Sequence, residues 1–440
     1  MTDRADRKRA ELVAKVRGLQ REFERWREES EEYAPLEKHH RQIRALTVPL
    51  DGAVKRLCKR VEEQDETVLS DWSQTEDSLL RIHEVWDFFR EKFNLRYVQT
   101  FRPYLALADD FAAACYLPAR DRSADPSRLR EPPLTFLGGL STPFAIPRGA
   151  LYLGPSYSGV LTDEELKVVA ERLPIPVVGL PWFQLDHLPD ALVIGHEIGH
   201  HVEDDFALTD TFKELVEQAL AAAGRPPASR RRWHGWLGEV FADVYGVLAA
   251  GPGFASALAD FVPTTPEAMI GDAQYPPMAL RVQVAAETLQ RTGFAQQARA
   301  VLARWQGDFP TGPEEPYSDD ADTVVQALLE GPYPQLGALP LTDVLTFRGR
   351  GQQAAAATRA LLQSATLSPE IDVRTLLSAA SSAFADEPQT YLENGLAAAV
   401  LKHARVIATR GLRENSAAPA RQPTGRETSF DQALRELVRV

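Results

Sequence analysis

Residues 191–205, ALVIGHEIGHHVEDD, place three histidines and a glutamate within six positions of an otherwise apolar run. Side chains of these types on so apolar a stretch are either polar residues on a solvated edge or ligands for a metal. The spacing favours the second reading. On a helix, His196 and His200 are one turn apart and project from one face. Glu197 then lies about 100° round from His196, close enough to act on a ligand held between the two rings. Two neutral imidazoles bind Zn²⁺, and the glutamate serves as base toward water that the metal has made acidic. Ala191, Ile194 and Ile198 fall on the opposite side and can anchor the helix in a core. Asp190, after Pro189, suits the N-cap of a helix starting at Ala191. Gly195 and Gly199 each cost about 1 kcal/mol relative to alanine inside a helix. Their i, i+4 placement predicts the close approach of another backbone.

A catalytic zinc site needs a third protein ligand and leaves the fourth position for water. Residues 235–254, GWLGEVFADVYGVLAAGPGF, offer one. Glu239 and Asp243 stand four apart among Val240, Phe241, Val244, Tyr245 and Leu248. Two acids in so apolar a helix are costly unless paired or bound to metal. Glu239 can give a carboxylate oxygen to zinc. Asp243, one turn on, can accept the outward N–H of a ligand histidine and fix its tautomer.

His-Glu-Ile-Gly-His followed by Glu-Val-Phe-Ala-Asp resembles the gluzincin metallopeptidases. The likeness covers residues 190–250, with thinner support to about 290 from YPPMALRVQVA, which resembles a Pro-Pro…Arg segment of several gluzincins. It implies a zincin-like domain with one Zn²⁺ per chain, held by His196, His200 and Glu239. It implies Glu197 as general base and Asp243 behind a ligand histidine, His196 by preference. The reaction implied is hydrolysis within a peptide or protein substrate, endopeptidase rather than exopeptidase. Tyr275 stands where the family segment often has histidine, which leaves Tyr275, Arg281 and Tyr245 as candidate donors to the transition state. His201 points away from His196. His234 lies off the face of Glu239, with a substrate contact as its functional option, and His187 sits in a loop before the zinc helix. A metzincin would carry a further histidine a few residues past His200, and HVEDDFALTD supplies none at that spacing. One rival is a zincin fold kept as a zinc-stabilised binding or regulatory protein. An intact Glu197 argues against it, since structural zinc has no use for a base and prefers closed, cysteine-rich shells. Another is a narrow regulatory peptidase of a defence or mobile-element system.

The elements that must position these residues sit in a chain of 440 residues with 44% apolar and 25% charged residues, an ordinary globular composition. The net charge of −13 argues against nucleic acid and anionic membrane as partners. The charged N-terminal stretch is not a secretory signal, and no run is long enough to span a membrane. Cys58 and Cys115 imply no disulfide framework. A cytoplasmic location is the expectation.

The predicted fold class is α+β and predominantly helical: a zincin-like catalytic domain with a small edge sheet, flanked by helical N- and C-terminal regions. Residues 1–95 read as a hairpin or coiled-coil-like arm. Leu12, Val16, Leu19, Phe23, Trp26 and Tyr33 form one seam, ended by Pro35. Leu50, Val54, Leu57 and Val61 form a second, and a helix follows over about 78–93. The seams fit partner helices in this chain or a docking arm for another protein. Residues 96–310 read as the metallopeptidase domain. It begins with short strands over 96–188 (LTFLGGL, TPFAIP, ALYLGP, IPVVGLPWF) and continues as helices over about 190–204, 209–223, 233–262 and 276–306. Residues 321–411 read as a C-terminal helical region, and 412–440 as a mostly disordered tail with a last amphipathic piece. Within 174–184, Pro176 and Pro181 predict an edge strand to which an extended peptide could add.

Overall fold

The computed structural model describes residues 4–62, 72–125, 130–139, 143–145, 172–261, 269–309, 317–415 and 429–437. Three helices open the chain: α1 (Arg4–Glu28), α2 (His40–Glu62) and α3 (Trp72–Asn94). The seam from Leu12 to Trp26 is buried, as is the second seam, and the chain's own α2 and α3 cover α1. The seams are therefore internal. Tyr33 is not part of them. The helix ends at Glu28, seven residues before Pro35, and Tyr33 lies beyond it at φ +67° and 89% exposed.

The expectation of strands throughout 96–188 fails at α4 (Arg102–Arg122), a 21-residue helix. Its prolines suggested loop, but Pro103 sits in the first turn, where a missing N–H costs nothing. Its buried residues (Tyr104, Leu105, Ala108, Phe111, Ala112, Cys115, Tyr116, Ala119) follow the helical period.

The strands are β1 (Leu134–Gly138), β2 (Phe144–Ala145) and β3 (Val177–Pro181), in the order β1-β3-β2. The ALYLGP stretch lies outside the described residues. β3 pairs parallel with β1 and antiparallel with β2. It is therefore the central strand, which corrects the edge-strand expectation for 174–184. Pro176 precedes the strand and Pro181 closes it, so neither breaks the ladder. Leu134, Phe136 and Val177 join the apolar core of α1–α3, whereas Leu137, Val178 and Leu180 join the core of the following helices. A sheet buried on both faces gives continuous apolar runs instead of alternation. Val178→Pro should therefore unfold the region rather than affect substrate alone. Val178 faces both Thr135 and Ala145 across the ladders. Proline removes a ladder donor there, and leaving its buried partner unsatisfied should cost about 1–3 kcal/mol and lower the thermal midpoint. An unchanged midpoint would contradict the register.

After β3 come α5 (Ile194–Phe206), α6 (Thr209–Ala222), α7 (Pro227–Ala250), α8 (Pro252–Phe261), α9 (Met278–Arg291), α10 (Ala295–Asp308) and α11 (Ser318–Glu330). The expected helix over 233–262 is two helices, divided at Gly251 with φ +57°. The expected helix over 276–306 divides at Thr292–Phe294. Then follow α12 (Gly351–Leu362), α13 (Val373–Asp386), α14 (Leu396–Asn415) and α15 (Ser429–Leu437). Residues 321–404 contribute to the same apolar core as α4–α10, so the C-terminal helices are built into the body that carries the motif. Phe430, Ala433 and Leu434 of the tail pack into the core of the N-terminal helices. The described residues are thus predominantly helical, with one small sheet. No helix among the described residues is long and apolar enough to cross a membrane.

Candidate metal centre

The motif helix α5 begins at Ile194, not at Ala191. Residues Leu188–Val193 form a 3₁₀ turn before it, and Asp190 supplies no cap. Its carboxylate instead lies 3.5 Å from His187 Nε2. The two glycines act as their spacing predicts. A Cβ on Gly199 would stand 2.7 Å from Ala242 Cα, and one on Gly195 would stand 3.4 Å from Gly246 Cα. Helices α5 and α7 thus touch backbone to backbone. That contact brings the carboxylates of α7 under the imidazoles of α5.

His196, His200 and Glu239 converge. His196 Nε2 lies 3.2 Å from His200 Nε2 and 3.4 Å from Glu239 Oε2, and His200 Nε2 lies 3.4 Å from Glu239 Oε1. Four ligands set tetrahedrally at about 2.0–2.1 Å from one zinc would stand about 3.3 Å apart. The donor set and its spacing therefore fit a zinc ion. No other group of three or more potential metal-binding side chains assembles among the described residues.

Behind each imidazole stands a carboxylate. Asp243, 0% exposed, has Oδ1 2.9 Å from His196 Nδ1. Arg281 forks onto the same carboxylate, with Nε and Nη2 each donating at 2.7 Å, and its Nη1 lies 3.6 Å from Glu239. Burial works against the charged form of Asp243. Arg281 and then His196 outweigh it and hold the carboxyl below its usual range. Arg281 is thereby occupied, and it serves as the support of Asp243 and Glu239 more than as a free donor. Glu203 stands beside His200, beyond hydrogen-bond reach. Its Oε2 lies 3.9 Å from His200 Nδ1, and Thr209 Oγ1 donates to its Oε1 at 2.8 Å. Burial opposes protonation of His200. Glu203 and Glu239 outweigh that and push its pKa up to about 10. A metal bound at His200 Nε2 would compete with a proton for that nitrogen.

Glu197 is buried beside the cluster, and the Ala145 N–H of β2 donates to its Oε2 at 2.6 Å. Among the described residues, the edge strand next to the motif is therefore β2. Tyr275 is 52% exposed and stands in the field of Glu239 and Glu197. The charge of Glu239, then burial, raises its pKa. Its loop is pinned to α7, since Trp236 Nε1 donates to the Asp272 carbonyl at 2.8 Å and Asp272 Oδ1 accepts the Tyr275 N–H at 2.8 Å. Tyr245 is removed from the donor candidates, because its buried hydroxyl donates to the Cys115 carbonyl. His201 is a packing residue that joins α5 to the Val177 carbonyl of β3. His234 is exposed near the start of α7, and His187 packs against Phe384.

Sequence reading missed Glu203 and the Ala145 amide. Glu203 left a signal, since it follows His200 by three positions on the same helix face. The amide left none, because a backbone donor has no residue type.

No family model, curated protein or solved structure matches this chain. The likeness to gluzincins rests on the motif residues alone.

Proposed function

We propose that the chain is a zinc metallopeptidase of the gluzincin kind that hydrolyses peptide bonds within a peptide or protein substrate. The observation that carries the reading is the convergence of His196, His200 and Glu239 at the spacing zinc requires, with Glu197 buried next to them. A structural zinc shell would have no use for that fourth group. Bound zinc would act as Lewis acid toward the peptide carbonyl and lower the pKa of water toward about 7. Glu197, steadied by the Ala145 amide, takes the proton from the attacking water and returns it to the leaving amine. Asp243 holds the outward Nδ1 of His196, and Glu203 lies 3.9 Å from Nδ1 of His200; the two Nε2 atoms, with Glu239, would hold the ion. Tyr275, half-exposed and within the field of Glu239 and Glu197, is the remaining candidate to meet negative charge developing on the carbonyl oxygen. An extended substrate fits alongside β2, whose backbone already reaches the base.

The test is hydrolysis of a mixed peptide library by purified full-length protein, with products read by mass spectrometry. Cleavage should be lost with a zinc chelator and restored by added zinc. Cleavage that persists after exhaustive chelation, with zinc shown to be gone, would contradict the mechanism.

A further inference from the structure

The chain carries a cavity lined by none of the residues of the His196–His200–Glu239 cluster. It measures about 680 Å³ and opens where the α1–α2 turn meets the start of α4 and the middle of α14. Its volume lies in the range of small-molecule sites, about 300–1,000 Å³. Its charge is unusual for this chain. Lys38, Arg96, Arg102 and Arg405 line it against only two carboxylates, Glu37 and Asp110, in a protein of net charge −13.

The two carboxylates are already engaged. Asp110 pairs with Lys38 at 2.6 Å, and Glu37 accepts the Tyr33 N–H at 3.1 Å. Arg102 is exposed, and among the described residues its guanidinium meets no hydrogen-bond or ion-pair partner. Arg96 is 4% exposed and holds Asp109 with Nη2 at 2.8 Å, yet its buried Nε meets no acceptor. Arg102 also begins α4, whose N-terminal end of the helix dipole favours an anion. Gln99 and His39 add polar groups, and the apolar or aromatic part of the lining includes Pro103 and Ala106 on α4 and Tyr33 at φ +67°. A non-glycine residue held in the left-handed region carries about 1–3 kcal/mol of strain and is found more often at functional positions.

We propose that this cavity binds a small organic anion. Its phosphate or carboxylate group rests on Arg102 at the head of α4, and its ring or apolar body lies against Tyr33, Pro103 and Ala106. The proposal is independent of the metallopeptidase reading, since none of these residues belongs to the metal cluster.

The experiment is isothermal titration of the full-length, zinc-supplemented protein with three probes: AMP, 4-hydroxyphenylacetate and inorganic phosphate. AMP or 4-hydroxyphenylacetate, or both, should bind one per chain with Kd below about 1 mM, and more tightly than inorganic phosphate. The probe that binds identifies the anionic group as phosphate or carboxylate. Arg102→Glu, on an exposed side chain, should weaken binding by at least about tenfold with unchanged zinc content and thermal midpoint. Ala106→Trp should fill the floor and act likewise, with circular dichroism as the check on folding. No binding by any probe at millimolar concentration would overturn the proposal. So would organic anions binding no better than phosphate, or binding that Arg102→Glu leaves intact.

Discussion

Glu197→Gln should lower peptide hydrolysis by about 10²–10⁴-fold while zinc stays bound and the thermal midpoint holds. The replacement keeps the size of the side chain. Its carbonyl oxygen can still accept the Ala145 N–H that now reaches Oε2 at 2.6 Å. What disappears is the basic oxygen that takes the proton. The measurement is kcat/KM on a peptide first shown to be cleaved by the wild type, together with metal content of the same preparation. Activity within about twofold of wild type would remove Glu197 from the mechanism. Loss of activity together with zinc would point to a damaged site and leave the base unassigned.

Arg281→Met should be the most destabilising single change near the centre. Asp243 is fully buried, and both oxygens of its carboxylate accept from Arg281 at 2.7 Å. Removing the guanidinium leaves a buried negative charge whose remaining partner is His196, a loss of about 3–5 kcal/mol for a broken buried pair. The double variant Asp243→Asn/Arg281→Met removes both charges and should recover much of that stability. It should not recover metal affinity, because the support of His196 Nδ1 is weakened. A loss of about 10–100-fold in zinc affinity is expected there. Chemical denaturation reads the first effect and competition with a zinc chelator reads the second. A single variant as stable as wild type would show that the Asp243 charge is compensated without Arg281.

The cluster of His196, His200 and Glu239 is the most legible part of the chain. His196, Glu197, His200, Glu239 and Asp243 announce themselves because acids and imidazoles are costly in apolar helices, and helical periodicity says which of them share a face. The two glycines carried the helix contact as well, since an i, i+4 pair of glycines has little reason to exist except close approach. Legibility failed where local signals were ambiguous or nonlocal. Pro103 and Pro118 disguised α4, although its buried residues kept the helical period. The prolines around β3 suggested an edge, but strand order is set by pairing with β1 and β2, which are distant in sequence. The alternating seam of α1 was visible, whereas its burial by α2 and α3 of the same chain was not. The gluzincin-like segment offers Arg281 as a donor, and Tyr245 is a weaker candidate. Their partners, Asp243 and the Cys115 carbonyl, could be known only from the packed helices.

The central claim is that His196, His200 and Glu239 hold one zinc ion. Elemental analysis of the full-length protein, purified after zinc-replete expression, tests it most directly. The wild type should carry about one zinc per chain, and His196→Ala, His200→Ala and Glu239→Ala should each carry far less while keeping their helical circular dichroism. A wild type without zinc, or variants that retain it in full, would contradict the account.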